Sequence, residues 1–184
     1  MIVIFTEEES MNAALEGLIA RQFPDLIQGL DWFVIHFKGK SDLEKRFPER
    51  MREWNYGDPL FVILRDNDGS DCRKLKERLE KLAAPVDKAF RVRVVCQELE
   101  SWFIGDSEAV HAAFPACRFS NTTAKYRDPD KLTNASQELA ELTGDHTKVG
   151  RASVIAPHLD PARNQSRSFQ VFFETLHEHF GLRR

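Results

Sequence analysis

Little in this sequence points toward a membrane, a disulfide framework or a phosphate-cradling glycine loop. No window approaches the roughly 18 consecutive apolar residues of a transmembrane helix, so no membrane partner is expected. The opening residues, Met1-Ile2-Val3-Ile4-Phe5 and then Thr6-Glu7-Glu8-Glu9, carry neither a basic leader nor a small-residue cleavage site, so no signal peptide is read there. Cysteine is scarce. Cys72, Cys96 and Cys117 are odd in number, widely spaced and never in a CxxC pair. A disulfide scaffold and a zinc knuckle built on cysteine alone are excluded, and a reducing compartment fits best. A soluble, cytoplasmic chain is the expectation. P-loop, GxGxxG and GxSxG patterns are all missing, which removes support for nucleotide hydrolysis, dinucleotide binding and α/β-hydrolase chemistry. Positive charge is not in excess either. The formal net charge of −3 argues against a protein held to nucleic acid by bulk charge alone. A nuclease remains compatible, because an acidic metal centre itself lowers the count.

What is present is ordinary globular material: 42% apolar and 30% charged residues, with 14 phenylalanines to dominate a core. No Gly/Ser- or Pro-rich linker interrupts the 184 residues, so one domain over 1–184 is expected. Its core would cover about 1–105, and a helical and loop-rich extension about 106–184.

Short apolar runs alternate with helical stripes. Met1 to Phe5 reads as a strand buried on both faces. Ser10 reads as the N-cap of a helix that carries Met11, Ala14, Leu15, Leu18 and Ile19 and ends at Pro24. Trp32 to Phe37 is a second strand, followed by a helix from about Ser41 with Leu43, Phe47, Met51 and Trp54 on one face. Leu60 to Leu64 is the third strand. After it Asp71 starts a helix striped with Leu75, Leu79 and Leu82. Arg91 to Cys96 is the fourth strand. Ser107–Phe114 and Leu132–Leu142 read as helices, residues 144–168 as loop, and a last helix carries Phe169, Phe172, Phe173, Leu176 and Phe180.

Strand and helix thus alternate four times, which calls for an α/β, Rossmann-like fold: a mostly parallel sheet of about four strands flanked by helices on both faces. Sites in such sheets form at the carboxyl ends of strands. Glu7, Asp66, Asp68, Glu98 and Glu100 all fall just after predicted strands, so the fold would gather them at one edge. Carboxylates are hard oxygen ligands suited to Mg²⁺ or Mn²⁺. Two aspartates at i and i+2, with a glutamate from another strand end, can clamp such an ion, which can neutralise a phosphodiester or activate water. A plainer reading stands beside this one. Asp66-Asn67-Asp68-Gly69 is also good turn chemistry, Asp71 is a reasonable helix cap, and Glu7 to Glu9 suit a solvated helix start.

The same residues carry a family resemblance. A glutamate after the first strand and Asp-x-Asp after the third, here Glu7 with Asp66 and Asp68, resembles the motif of the Toprim superfamily of topoisomerases, primases and overcoming-lysogenization-defect nucleases. Glycine often follows that glutamate; Glu8 stands there in this chain. The sequence resembles more closely a bacterial Toprim-like family known as domain of unknown function 4276. The matching segments are Glu7-Glu8-Glu9-Ser10-Met11, Gly39-Lys40-Ser41-Asp42-Leu43, Asp66-Asn67-Asp68-Gly69-Ser70-Asp71-Cys72, Glu98-Leu99-Glu100-Ser101-Trp102 and Arg167-Ser168-Phe169-Gln170-Val171-Phe172. The resemblance implies a Toprim-like fold with a helical C-terminal extension. It implies a metal site at Glu7, Asp66 and Asp68, with Glu7 as an alternative general base. It also implies a Mg²⁺- or Mn²⁺-dependent nuclease, in the manner of small Toprim-like effectors that work with an ATPase partner in phage defence.

Asp71, Glu98 and Glu100 are candidates for a further ligand or for orienting water, and sequence does not decide which of Glu98 and Glu100 faces the site. Lys40, Lys148, Arg151 and Arg167 are candidates for contact with a nucleic-acid backbone, each with a solvated surface cation as the alternative. The six histidines form no ligand pattern, and neither Tyr56 nor Tyr126 has the setting of a topoisomerase nucleophile. Two other functions stay open: a non-catalytic interaction module, and phosphoryl transfer on a nucleotide.

Overall fold

The computed structural model describes residues 1–181; the final three positions of the expected domain lie outside it. The first half alternates strictly: β1 (Ile2–Thr6), α1 (Glu9–Gln22), β2 (Trp32–His36), α2 (Lys40–Glu53), β3 (Leu60–Asp66), α3 (Cys72–Ala83) and β4 (Phe90–Val95). The second half is helical: α4 (Glu100–Ile104), α5 (Ser107–Ala113), α6 (Ala135–Thr143), α7 (Lys148–Ile155) and α8 (Arg167–Gly181).

All four strands are parallel, in the order β2-β1-β3-β4. Every residue of β1 is buried, and its alternation divides the core in two. Ile2 and Ile4, with Val62 and Leu64 of β3, join one apolar cluster with α1 and the C-terminal helices. Val3 and Phe5, with Phe61 and Ile63, join a second cluster with α2 and α3. A parallel sheet covered on both faces needs this continuous hydrophobic run in its central strands.

The order also fixes where a site can form. β1 leads to a helix on one face and β3 to a helix on the other, although the two strands are neighbours. That is a switch point, where the connections diverge and leave a crevice at the carboxyl ends. Thr6 is level with Leu64, so Glu7 and Asp66 emerge almost side by side.

Three local expectations need correction. Ser10 is not the cap of α1. That position belongs to Glu8, in extended conformation, and Ser10 lies inside the first turn with its hydroxyl donating to Glu8 Oε1 at 2.5 Å. The chain turns straight from strand into helix, so the glutamates themselves form the helix start. β3 runs to Asp66, so that aspartate ends the strand rather than following it. Residues 144–168 are not loop throughout: α7 buries Arg151, Ala152 and Ile155 and packs against α1. Its apolar stripe is interrupted by a buried arginine, which hid the period.

Candidate metal centre

Alternation places Glu7, beyond Phe5, on the α2/α3 side of the sheet and Asp66, beyond Leu64, on the α1 side. Both are nearly buried, at 8% and 4% exposure. Asp68 lies past the strand end with φ of +48°, an uncommon left-handed setting for a non-glycine residue, though one aspartate tolerates better than most. One carboxylate oxygen from each of Glu7, Asp66 and Asp68 lies within 4.8 Å of the others. Among the described residues this is the one group of three acidic, histidine or cysteine side chains gathered closely enough to hold a metal ion.

The turn is held from below by Asn67. Its Oδ1 accepts from Gln97 N at 2.5 Å, and its Nδ2 donates to Ser70 O at 2.7 Å and to Cys72 Sγ at 3.1 Å. The sequence reading gave this residue no role. It also passed over Arg65. That side chain is 5% exposed and lies beside Glu7, Nε to Oε2 3.3 Å, contacts Glu44 of α2 through Nη1, and stands 4.0 Å from Asp68. Arg78 of α3 closes the group on Glu44 at 2.8 Å. The available signal was a lone arginine at the end of an apolar strand, a place where a charge persists only with partners.

Burial dominates the electrostatics. Burial, reinforced by Asp68 and only partly opposed by Arg65, raises the Glu7 carboxyl from 4.5 to about 7. Asp66 is pushed well above the ordinary range by burial and then by repulsion from Glu7 and Glu100, against one hydrogen bond from Leu99 N at 3.2 Å. Asp66 Oδ1 is a buried oxygen without a hydrogen-bond partner, and Glu7 Oε2 has only its ion pair with Arg65. Native structures rarely leave such atoms unsatisfied. Hard, closely set carboxylate oxygens of this kind fit a small divalent cation.

The other sequence candidates separate. Lys40 reaches the rim, donating to Asp68 Oδ2 at 3.2 Å. Lys148, at the start of α7, lies 3.7 Å from Glu8 Oε1. Burial works against its charge, but Glu100, Glu8, Glu98 and Asp66 outweigh it and hold the ammonium above its usual range. Glu100 is buried beside Asp66; its Oε1 accepts from Ser136 Oγ at 2.9 Å and pairs with Arg151 at 3.3 Å, while its Oε2 has no hydrogen-bond partner. Glu98 Oε2 accepts from Ser136 N at 2.9 Å. Arg151 is 1% exposed, so it is part of the wall and presents no surface cation. Asp71 stands outside the cluster as the cap of α3, its Oδ1 accepting from Arg73 N and Lys74 N. Arg167 is exposed and paired with Glu174 at 3.3 Å. A groove of about 720 Å³ along α3 and β4 is lined by residues from Lys76 to Arg93. It shares no residue with the acidic group, so the chemistry of the carboxylates, not the size of a cavity, marks the centre.

Fold and centre together define an α/β protein with an acidic cluster at the switch point of a four-stranded parallel sheet. The chain belongs to the family described as domain of unknown function DUF4276, whose model matches residues 6–177. No curated protein matches it. Among solved structures it is similar to the C-terminal region of the Burkholderia pseudomallei OLD protein, at 20% identity and a TM-score of 0.50, over 88% of this chain and 92% of that one. At that identity the likeness concerns the fold. No helix among the described residues is long and apolar enough to cross a membrane.

Proposed function

We propose that this protein is a Mg²⁺- or Mn²⁺-dependent phosphodiester-cleaving enzyme on a Toprim-like fold. The observation that carries the reading is the convergence of Glu7, Asp66 and Asp68 within 4.8 Å, with the buried Asp66 Oδ1 left without a hydrogen-bond partner. These three residues would hold the ion, and Glu100 and Glu98 stand by as further oxygen donors. A divalent ion there supplies charge neutralisation to a phosphodiester and lowers the pKa of water.

The chain's own groups frame that chemistry. Arg65 fixes Glu7 in place and offsets part of its charge. Lys40 and Lys148 put ammonium groups near the acids, one beside Asp68 and one beside Glu8, where a phosphate would be positioned. In the alternative arrangement, with the ion held by Asp66 and Asp68, Glu7 is instead placed to take a proton from an attacking water. Nucleic acid is the substrate class that two flanking cations and an open rim at Asp68 fit best. A net charge of −3 leaves grip on a long polymer to a second protein, and an ATPase partner in the cytoplasm is part of this proposal.

Purified protein incubated with plasmid, single-stranded DNA and RNA in Mg²⁺ or Mn²⁺, beside Asp66→Ala/Asp68→Ala, tests it. Metal-dependent cleavage lost in the variant is expected. The absence of both cleavage and any metal-induced rise in thermal stability would remove the metal-site reading for this chain.

A further inference from the structure

Behind the acidic turn lie two cysteines from different elements. Cys72 is the first residue of α3, and Cys96 follows the last residue of β4. Their sulfurs are 3.4 Å apart, both are free thiols, and both are partly accessible. The contact joins positions 24 residues apart in sequence, and Asn67, in the turn carrying Asp66 and Asp68, is bonded to both segments. Asn67 ties that turn to the pair from both sides: its backbone N–H donates to Val95 O at 3.0 Å, and its side chain donates to Cys72 Sγ.

We infer that Cys72 and Cys96 are a reversible dithiol–disulfide switch whose closure disturbs the Asn67 anchor and so weakens the acidic centre. The second half of this inference rests on the metal-site reading; the first does not. A disulfide brings the sulfurs to roughly 2 Å, more than an ångström closer than they lie. It also turns the acceptor of the Asn67 amide into a poorer one. The turn that sets Asp66 and Asp68 then loses part of its support.

Cys72 opens a 12-residue helix, and its sulfur accepts from Asn67 Nδ2 at 3.1 Å. Both sulfurs are partly accessible, so a hydroperoxide can reach the pair, and Cys72 is taken as the sulfur it meets. Its thiolate attacks one peroxide oxygen, forming the S–O bond as the O–O bond breaks and the departing oxygen takes a proton. Cys96 then attacks the Cys72 sulfenic acid. The S–S bond forms, the S–O bond breaks, and water leaves with the Cys96 proton. Two electrons pass from the thiol pair to the peroxide. Cys117 is buried and separate from this pair, so it serves as an internal control.

The test treats the full chain with hydrogen peroxide at near-neutral pH and then with dithiothreitol. Peptide mapping should find a Cys72–Cys96 disulfide with Cys117 still a thiol, and dithiothreitol should reverse it. Hydrogen exchange of the Asn67–Ser70 amides should be about fivefold faster or more in the oxidised chain, and unchanged by peroxide in Cys72→Ser and Cys96→Ser. Affinity for Mn²⁺, read by thermal shift, should fall by a similar factor on oxidation. Failure of the folded chain to form the disulfide, or accumulation of Cys72 sulfinic acid beside an intact Cys96 thiol, would overturn the switch. Equal exchange in the two redox forms would overturn its link to the turn. If Mn²⁺ fails to bind even the reduced chain, the metal reading fails, while mapping and exchange still decide the fate of the thiol pair.

Discussion

Replacing Glu7 by glutamine should stabilise the metal-free protein, increasingly as pH rises from about 4.5 to about 7. The Glu7 carboxyl titrates near 4.5 in an unfolded chain and at about 7 in the folded one. Between those values the folded state holds a proton that the unfolded state has released, so stability falls as pH rises through that window. The full penalty is present above about pH 7. At 1.36 kcal/mol per pH unit, the displacement corresponds to roughly 3 kcal/mol; allowing for solvent relaxation beside the open Asp68, about 2 kcal/mol is a fair expectation. For a chain of this length that is about 4–8 °C in Tm. Thermal unfolding followed by circular dichroism in EDTA, at about pH 5 and about pH 8, measures it. The variant should melt higher than the wild type at the upper pH and nearly with it at the lower, where Glu7 is already protonated. With Mn²⁺ at about 100 times its Kd the order should reverse, because the wild type gains about 2.7 kcal/mol that the variant cannot. A glutamine variant that is less stable than wild type in EDTA at both pH values would refute the account of Glu7 as a charge held at a cost.

Metal affinity itself should strengthen with pH, by about tenfold or more per unit below pH 7, since the Glu7 and Asp66 protons have to leave before the ion enters; isothermal titration with Mn²⁺ from about pH 5.5 to 8 reads the slope. Asp71→Ala should cost about 1 kcal/mol through loss of the α3 cap and leave Mn²⁺ binding intact, as thermal shifts with and without the ion will show. Arg151→Met strands the buried Glu100 carboxylate, and a loss of about 3–5 kcal/mol in urea unfolding is expected. The companion Arg151→Met/Glu100→Gln should recover much of it.

The sheet was legible in the sequence because its period is short and its central strands are uninterrupted: Ile2 to Phe5 and Leu60 to Leu64 admit few other readings. That Glu7 and the Asp66–Asp68 turn share one edge was readable from their places just after strands of a parallel sheet; that they are neighbours depends on the strand order β2-β1-β3-β4, which the structure supplies. What sequence could not supply was the charge pairing inside the fold. Arg65 and Arg151 look alike as isolated basic residues, yet both are buried against carboxylates distant in the chain, Glu44 and Glu100. Only long-range contact distinguishes such an arginine from a solvated one. Asp71 shows the reverse case: its cap role was readable locally, because an aspartate cap needs only the next three residues.

Because Glu7 hangs from one side of the sheet and Asp66 from the other, the spacing of their oxygens measures how the two cores are seated on β1 and β3. Loosening either core, at Phe47 or at Phe172, should alter that spacing. Under the proposed function, metal affinity would gauge packing across the whole sheet, since a small hard ion such as Mg²⁺ demands close placement of its oxygens.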